Sequence, residues 1–477
     1  MINNEYMLEM LLIRIWGPMR RQICIKSKQI HSSIKLYKED LSEDIKELLF
    51  SELQYNKLTD HYFHIKQAQK CLIIQPFVKW GPKKLSISPK EQLSEAVALI
   101  NTLPAWVVKN TVTIPLDTLD RKALFKSGSM DRIQDIIQES PDITAIFINS
   151  GALKKSTVQI LQENFKRPVL DRYKIVMQIL KAHATSKHAK LQVALAELYY
   201  VQRKSEQDLM FKTYSSEILR LMFQQREQKI KDQIKILRNQ RILLRSKRQK
   251  MKYPVVAVVG YTNAGKTAII KALTGEQGLT PRNQLFATLD VTVHEGLLPS
   301  GLSVLYIDTV GFISDIPTNL IECFVATLED ALLADVILHV EDVSSSSFDY
   351  KRKHVLEILL KLEKETGAQN VLNKVISIGN KCDIIGEEFK DDNLLQVSAK
   401  KGFGLKQLKQ QLEEFILHTT GRQKITIKIP NGGDEIRWLY KNSTVVEEIP
   451  DQDDMQFIFA KVIITQANLQ KFKHHFI

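Results

Sequence analysis

The segment from Gly260 to Thr267 constrains the fold of this chain more than any other stretch. It reads Gly-Tyr-Thr-Asn-Ala-Gly-Lys-Thr and follows the apolar run from Val255 to Val259. The glycines let the backbone turn tightly and aim its N–H groups inward, so that such a loop can enclose phosphates. Residues 268–273 then predict a helix, whose N-terminus favours anions. The order strand, glycine-containing loop and helix predicts a P-loop nucleotide-binding domain of α/β architecture.

Every residue of this loop is a predicted nucleotide contact. We expect the Lys266 ammonium to lie near the β- and γ-phosphates and the Thr267 hydroxyl to ligate Mg²⁺. The predicted contacts from the loop are Gly260, Tyr261, Thr262, Asn263, Ala264, Gly265, Lys266 and Thr267.

A second apolar run, 304–308, ends in the sequence Asp308-Thr-Val-Gly311. An aspartate at the end of a strand can hold Mg²⁺ through water, and a glycine lets the backbone approach the γ-phosphate. We therefore predict that Asp308 and Gly311 belong to the phosphate and metal side of the same site.

The choice of base depends on a third apolar run, 375–379, which is followed by Asn380-Lys381-Cys382-Asp383. The Asp383 carboxylate can accept hydrogen bonds from N1–H and the 2-amino group of guanine, whereas adenine offers no such pair of donors. A fourth run, 394–397, precedes three residues whose backbone we expect to meet guanine O6. Four motifs in this order predict a GTPase that converts GTP to GDP and phosphate. The predicted guanine contacts are Asn380, Lys381, Asp383, Ser398, Ala399 and Lys400.

The residue after Gly311 is Phe312, where Ras-like enzymes carry a glutamine that orients the attacking water. Phenylalanine cannot orient water, so the sequence predicts slow basal hydrolysis or a water positioned by another group, such as one from a partner. The other interpretation is that Phe312 merely packs against a neighbouring helix. The first switch is expected within 284–292, with Thr288 or alternatively Thr292 completing Mg²⁺ coordination. The predicted catalytic residues are Lys266, Thr288 and Gly311, and the predicted metal ligands are Thr267, Thr288 and Asp308.

The composition agrees with an intracellular enzyme that meets an anionic partner. The chain has 477 residues, a formal net charge of +13 and 44% hydrophobic residues, enough for several packed cores. The charge points to RNA, with an acidic membrane as the competing candidate. The four cysteines have no metal-type spacing, which favours a reducing compartment. No apolar run approaches the roughly 18 residues of a membrane span, so we expect no integral membrane association.

We predict five segments along the chain. Residues 1–45 form a mitochondrial targeting segment, because 11–38 contains seven basic and no acidic residues. The alternative is a disordered basic tail, and with it a cytoplasmic location. The other predicted segments are an N-terminal α/β domain at 46–170, a basic helical region at 171–252, the GTPase domain at 253–419 and a C-terminal α+β domain at 420–477.

The predicted helical region carries the highest density of positive charge. Between Val169 and Lys252 the sequence contains no Pro or Gly, which indicates long helices. From Arg226 to Lys252 there are eleven basic residues against Glu227 and Asp232. Such a helix either has a solvated face or lies on phosphates, and we expect RNA backbone contact.

In the predicted N-terminal and C-terminal domains, the sequence patterns indicate short strands and helices. Strands are predicted at 71–75 and 145–149 and helices at 89–103 and 156–165, which indicates a small, largely parallel sheet. In the C-terminal domain, two strands are predicted at 424–429 and 460–465, a turn at 431–433, and helices at 436–440 and 466–472.

Several of these residues together resemble the HflX family of ribosome-associated GTPases. The resemblance rests on Gly260–Lys266, on Leu-Phe-Ala-Thr-Leu-Asp at 285–290, on Asp308–Ile313 and on Ala326–Glu329. It continues upstream at 123–128, at 169–172 and at 190–198 and covers roughly residues 70–477, with a tail that is most similar to the mitochondrial branch. At 123–128 the family has a glycine-containing turn. The resemblance implies a monomer that binds rRNA and proteins of the large ribosomal subunit and acts in ribosome splitting or late subunit assembly.

One segment departs from the family. Bacterial members carry the loop Arg-Gly-Pro-Gly-Glu-Thr-Gln between two long helices, whereas residues 201–216 contain neither Gly nor Pro. The loop is lost or replaced, and its contact at the ribosomal catalytic centre does not carry over. Two other classes stay open, an Era-like or tRNA-modification GTPase and a membrane- or scaffold-binding GTP sensor. Against the first, no GxxG loop and no catalytic cysteine follow the GTPase motifs.

Overall fold

The computed structural model describes residues 55–60, 63, 68–81, 87–117, 124–205, 216–251, 253–282, 284–289, 291–314, 328–329, 331–385 and 394–476. Within these ranges, the side chains of 216, 218, 241, 242 and 244–251 are not described. The predicted targeting segment and residues 206–215 of the departing loop lie outside the described residues. The chain divides into two compact units, 1–64 and 65–477. In the first unit, residues 55–60 are helical; the second unit contains every element named below.

The first sheet of the second unit, the N-terminal sheet, is entirely parallel. Its strands are β1 (Gln69–Val78), β2 (Trp106–Leu116), β3 (Ala145–Ile148) and β4 (Val169–Asp171), in the order β2-β1-β3-β4. Its helices are α1 (Pro89–Thr102), α2 (Ser127–Glu139) and α3 (Lys155–Phe165). Helices that connect parallel strands cover the sheet and bury apolar strands such as β3. The predicted parallel α/β arrangement is confirmed.

Two elements of this region were not predicted. The edge strand β2 alternates between buried and exposed residues and carries Pro115 near its end, as edge strands tolerate. Helix α2 contains Gly128 in its first turn. The stretch at 123–128, where the family has a glycine-containing turn, overlaps the start of this helix at Ser127.

Three helices follow, as the absence of Pro and Gly predicts. They are α4 (Arg172–His183), α5 (Lys187–Ser205) and α6 (Ser216–Met251). Asp171 caps α4 by accepting a hydrogen bond from Lys174 N at 2.9 Å. Helices α5 and α6 contact each other, and the Tyr199 hydroxyl donates to Glu227 across them at 3.0 Å.

The second sheet, the central sheet, has six strands in the order β10-β9-β8-β5-β7-β6. Its strands are β5 (Val255–Gly260), β6 (Thr292–Leu297), β7 (Ser303–Asp308), β8 (Val336–Asp342), β9 (Val375–Asn380) and β10 (Leu395–Gln396). Only the edge pair β6–β7 is antiparallel. The helices are α7 (Lys266–Thr274), α8 (Phe348–Thr366) and α9 (Leu405–Thr419). Strands β6 and β8 were not predicted, although Val336–Val340 is a readable apolar run.

The last sheet, the C-terminal sheet, is antiparallel with the order β11-β13-β12. It consists of β11 (Arg422–Pro430), β12 (Thr444–Pro450) and β13 (Phe457–Thr465), packed with α10 (Asp434–Asn442) and α11 (Gln466–Phe476). The prediction of two strands is wrong because β12 forms a third, half-exposed edge that carries Glu447 and Glu448. The predicted fold class, a mostly parallel GTPase sheet flanked by a small α/β part, long helices and a small α+β part, is confirmed. Across the described ranges, no helix combines the length and apolar character needed to cross a membrane.

Candidate nucleotide site

The loop between β5 and α7 has the backbone shape that phosphate binding needs. Gly260 and Gly265 have φ of +155° and +94°, and Asn263 has φ of +62°. A Cβ on Gly260 would lie 2.3 Å from the Val340 carbonyl oxygen, so only glycine fits there. Five of the loop residues line one cleft together with Thr288 and Gly311, namely Thr262, Asn263, Gly265, Lys266 and Thr267.

Lys266 is the first residue of α7 and is 7% exposed. Its ammonium donates to the carbonyl oxygens of Gly260 at 3.2 Å and Tyr261 at 3.0 Å, which hold it over the loop. Burial lowers the pKa of Lys266 to about 8, while the Asp308 carboxylate acts in the opposite direction. A charged lysine in this position can neutralise phosphate oxygens.

Three oxygen-bearing side chains converge at the carboxyl end of β7. The hydroxyls of Thr267 and Thr288 both donate to Asp308 Oδ2, at 2.6 Å and 3.1 Å, and lie 3.3 Å apart. Asp308 is 1% exposed, and its other oxygen, Oδ1, has no hydrogen-bond partner among the described residues. Hydroxyl and carboxylate oxygens beside an orphaned carboxylate oxygen fit a hard cation such as Mg²⁺. The residues predicted as metal ligands therefore lie together.

The alternative switch residue, Thr292, pairs with Asp308 across the β6–β7 ladder, but its hydroxyl has a different neighbour. It begins β6 and is exposed, and its hydroxyl lies 2.8 Å from His294 Nε2. Of the two candidate threonines, only Thr288 has its hydroxyl hydrogen-bonded to the Asp308 carboxylate. In the described ranges, no group of three or more His, Cys, Asp and Glu residues could hold a metal by protein ligands alone.

The residues predicted to contact guanine are connected to the phosphate loop through Asn380. Its amide nitrogen donates to the Ala264 carbonyl at 2.9 Å, and its amide oxygen accepts from Ala399 N at 3.1 Å. A Cβ on Gly265 would lie 2.3 Å from Asn380 Nδ2, so the loop and the asparagine are in close contact. Asn380 therefore ties the phosphate loop to the segment that begins at Ser398.

The carboxylate of Asp383 is oriented by its neighbours. The Ser398 hydroxyl donates to Asp383 Oδ1 at 2.6 Å and accepts from Lys401 N at 3.0 Å. The hydrogen bond from Ser398 lowers the pKa of Asp383, which keeps the exposed carboxylate ionised. Lys381 has a left-handed backbone with φ of +67°, and its ammonium donates to Asp342 at 2.7 Å. Lys400 is exposed at the rim of this region.

Gly311 and Phe312 lie directly against the loop. The Phe312 N–H donates to the Gly260 carbonyl at 3.1 Å, and the Phe312 carbonyl accepts from Thr262 N at 2.6 Å. The Phe312 residue is 7% exposed, so its ring is packed inside the protein. A Cβ on Gly311 would lie 2.8 Å from Thr262 Cα, which leaves room only for glycine.

Four residues near the site were not predicted as site residues from the sequence. They are Glu95, Asn149, Arg172 and Ser314. The Tyr261 hydroxyl donates to Glu95 of α1 at 2.9 Å and accepts from Ser314 N at 2.8 Å. Arg172 of α4 forms an ion pair with the same Glu95 and donates to the Ser314 carbonyl at 3.1 Å and to Asn149 at 2.8 Å. Burial raises the pKa of Tyr261, so the phenol stays a donor. Residues of the N-terminal sheet region thus contact the second loop residue and the segment after Phe312.

Helices α1 and α4 also contact the predicted first switch, within 284–292. The ring nitrogen Nδ1 of His183 lies 2.9 Å from the Phe286 carbonyl, and Leu285 N donates to Thr102 at 3.4 Å. A cavity of about 310 Å³ lies between α1 and the loop after β8 and reaches Thr262 and Asn263. Arg172 belongs to the stretch 169–172 that resembles the HflX family, but nothing local in the sequence indicates its partners.

Comparison with known proteins agrees with this geometry. Residues 255–374 match the family described as "50S ribosome-binding GTPase", and residues 90–180 match "GTP-binding GTPase N-terminal". "Putative GTP-binding protein 6" of Xenopus laevis is 38% identical over 444 residues, covering 89% of this chain and 83% of its own length. "GTPase HflX" of Alkalihalophilus pseudofirmus is 32% identical over 332 residues, covering 65% of this chain and 78% of its own length.

A solved structure of a GTP-binding protein from Sulfolobus solfataricus in complex with GDP aligns over 73% of this chain and 99% of its own, at 21% identity and a TM-score of 0.39. That likeness is too low to support an argument about the site. The fold, the site and the relatives define a P-loop GTPase, an enzyme that binds guanine nucleotide and hydrolyses GTP. Within that class, the chain belongs to the HflX family of GTPases.

Proposed function

We propose that this protein is a GTP-controlled factor that binds the large subunit of the mitochondrial ribosome. It would act in ribosome splitting and recycling or in late assembly of that subunit, as a monomer and with Mg²⁺ as cofactor. The description of the matched family, 50S ribosome-binding GTPase, supports the subunit. The basic, acid-free stretch at 11–38 supports the mitochondrial matrix, with the cytoplasm as the alternative. The five predicted segments remain our proposal for its domains.

The observation that carries this proposal is the contact of helix α4 with both predicted switch segments, the first around Thr288 and the second after Gly311. Phe286 lies two residues before Thr288, and Ser314 lies three residues after Gly311, so both flank residues expected to respond to the γ-phosphate. His183 contacts the first and Arg172 the second. GTP orders the switch segments of GTPases and hydrolysis releases them. A ribosome-binding shape that needs these contacts would therefore exist with GTP and be lost with GDP.

The exposed side of α6 supplies a surface for RNA. Among its described residues, the exposed basic side chains are Arg220, Lys229, Lys231, Lys235 and Arg238. Two of them are engaged on the protein, since Lys231 contacts Glu227 at 2.6 Å and Arg238 contacts Glu329 at 2.6 Å. Contacts to phosphates are independent of sequence and weaken as salt rises.

Sedimentation with isolated mitochondrial ribosomal subunits tests the proposal. We expect the full chain to pellet with large subunits in the presence of a non-hydrolysable GTP analogue, to dissociate with GDP, and to hydrolyse GTP faster when subunits are added. The double variant Lys229→Glu and Lys235→Glu should bind less tightly, whereas Lys353→Glu with Lys364→Glu on α8 is the charge-matched control.

Two outcomes would contradict the proposal. Pelleting with small subunits would favour an Era-like GTPase, and pelleting with acidic liposomes but not with subunits would favour a membrane sensor. Equal hydrolysis with and without large subunits would contradict activation by the ribosome.

A further inference from the structure

We propose that the Thr262 hydroxyl positions the hydrolytic water beside the γ-phosphate, a task for which Phe312 has no polar group. The inference rests on the GTPase activity and assigns a role within it to this chain's own residue. It therefore predicts some hydrolysis without any partner.

The first observation is the state of the Thr262 hydroxyl. Thr262 is 6% exposed, and its Oγ1 is buried with no hydrogen-bond partner in the described part of the chain. Buried hydroxyls are nearly always hydrogen-bonded, and leaving one unpaired is energetically costly. Valine has the same shape and would avoid that cost, so packing alone does not explain a threonine here.

The second observation is where this side chain lies. A Cβ built on Gly311 would be 2.8 Å from Thr262 Cγ2 and 2.9 Å from Lys266 Nζ. The Thr262 side chain and the ammonium therefore both lie within 3 Å of one point beside Gly311, the residue predicted to approach the γ-phosphate. Thr262 also lines both the nucleotide cleft and the larger cavity that adjoins it. An attacking water approaches from the side of the γ-phosphate opposite the bond that breaks, where such an opening is needed.

The backbone holds Thr262 in this place. Its N–H donates to the Phe312 carbonyl at 2.6 Å, so the threonine lies beside the position where a water-orienting glutamine is absent. The neighbouring polar groups have other partners. The Tyr261 hydroxyl is bonded to Glu95 and Ser314, and His354 Nε2 lies 3.2 Å from the Ile313 carbonyl.

The step can be written with this residue in place. The water oxygen forms a bond to the γ-phosphorus while the bond from that phosphorus to the β–γ bridging oxygen breaks, and GDP leaves with the bridging oxygen and its electron pair. The water proton passes to a γ-phosphate oxygen, which gives inorganic phosphate. The threonine hydroxyl accepts a hydrogen bond from the water and donates one to a γ-oxygen, and it gains and loses no proton.

The test compares Thr262→Val, which keeps the shape, with Thr262→Ser, which keeps the hydroxyl. Single-turnover hydrolysis is measured with protein in excess, together with the Kd for a non-hydrolysable GTP analogue and for GDP with aluminium fluoride. We expect Thr262→Val to hydrolyse about 10- to 100-fold more slowly, since one hydrogen bond to a charged group contributes about 1.5–3 kcal/mol. Its Kd for the GTP analogue should stay within about twofold, and its affinity for the aluminium fluoride complex should fall with the rate.

Two further variants distinguish a role of Thr262 in positioning the water from a role in packing. Thr262→Ser should restore most of the rate, and Thr366→Val, which removes a hydroxyl bonded within α8, should leave it unchanged. Thr262→Val with the wild-type rate would overturn the proposal. So would an equal loss of affinity for the GTP analogue, or a serine variant as slow as the valine variant. Wild-type protein that hydrolyses no GTP on its own would also overturn it, whereas no hydrolysis even with large subunits added would contradict the GTPase activity itself.

Discussion

The two halves of the nucleotide cleft are built in different ways. In the phosphate half, Lys266 and Asp308 are almost fully buried, and their positions follow from a loop whose glycines adopt backbone angles closed to other residues. In the base half, Asp383 and Lys400 are exposed. The base half depends on short hydrogen bonds, above all from Ser398 to Asp383.

Because of this difference, we expect the phosphate half to supply most of the affinity for the nucleotide and the base half to supply the selectivity for guanine. Burial makes each charge in the phosphate half count for more, because the surroundings screen it less than water does. An exposed carboxylate contributes less to total affinity, but Asp383 is predicted to select guanine, because adenine lacks the pair of donors that its carboxylate can accept. Asn380 joins the halves by bonding Ala264 on one side and Ala399 on the other. We therefore expect substitutions in the two halves to affect different measured quantities.

The largest effect is expected in the phosphate half. Lys266→Ala should weaken GTP binding by on the order of 1000-fold, because it removes two or three charge-assisted hydrogen bonds to phosphates of about 1.5–3 kcal/mol each. Titration of a fluorescent GTP analogue measures the loss. Lys353→Ala, an exposed lysine on α8, is the control and should bind as the wild type does. Retained tight binding in Lys266→Ala would refute the P-loop assignment.

A smaller and selective effect is expected in the base half. Asp383→Asn should weaken GTP binding on the order of 100-fold, since the amide cannot accept from both N1–H and the 2-amino group. The same variant should gain affinity for xanthosine triphosphate, whose 2-oxygen accepts the amide N–H. Competition between the two nucleotides measures the switch, with Glu357→Gln as the charge-matched control. A parallel loss for both nucleotides would mean that Asp383 supports the fold of the site rather than choosing the base.

The smallest effect concerns the charge of the buried lysine. In the free protein burial lowers the pKa of Lys266 to about 8, so the charged form dominates below that pH and is lost as pH rises through it. Bound phosphates favour the charged form and raise the pKa, so binding near pH 8 to 9 should take up a proton and weaken roughly tenfold between pH 7 and 9. Calorimetry in two buffers of different ionisation enthalpy measures that proton. Binding heats that do not depend on the buffer would contradict a lowered pKa in the free protein.

The sequence predicted those parts of the protein whose chemistry is local. The loop from Gly260 to Thr267 and the motifs after β7, β9 and β10 each consist of a few consecutive residues, and strand ends of a parallel sheet meet at one edge. These motifs were enough to predict the enzyme class, the guanine nucleotide and the fold class. The long helices were also readable, because a stretch without Pro or Gly and with apolar spacing has few other solutions.

The tertiary structure decided what depends on residues far apart in the chain. It decided between Thr288 and Thr292, which lie in the same short segment and are equivalent in the sequence. In the folded chain the Thr288 hydroxyl bonds Asp308, whereas the Thr292 hydroxyl lies beside His294. It added β2, β6 and β12, edge strands with mixed burial and weak apolar patterns. It also joined Glu95 and Arg172 to Tyr261 and Ser314. Sequence patterns report near neighbours, whereas such contacts arise only when separately formed elements pack.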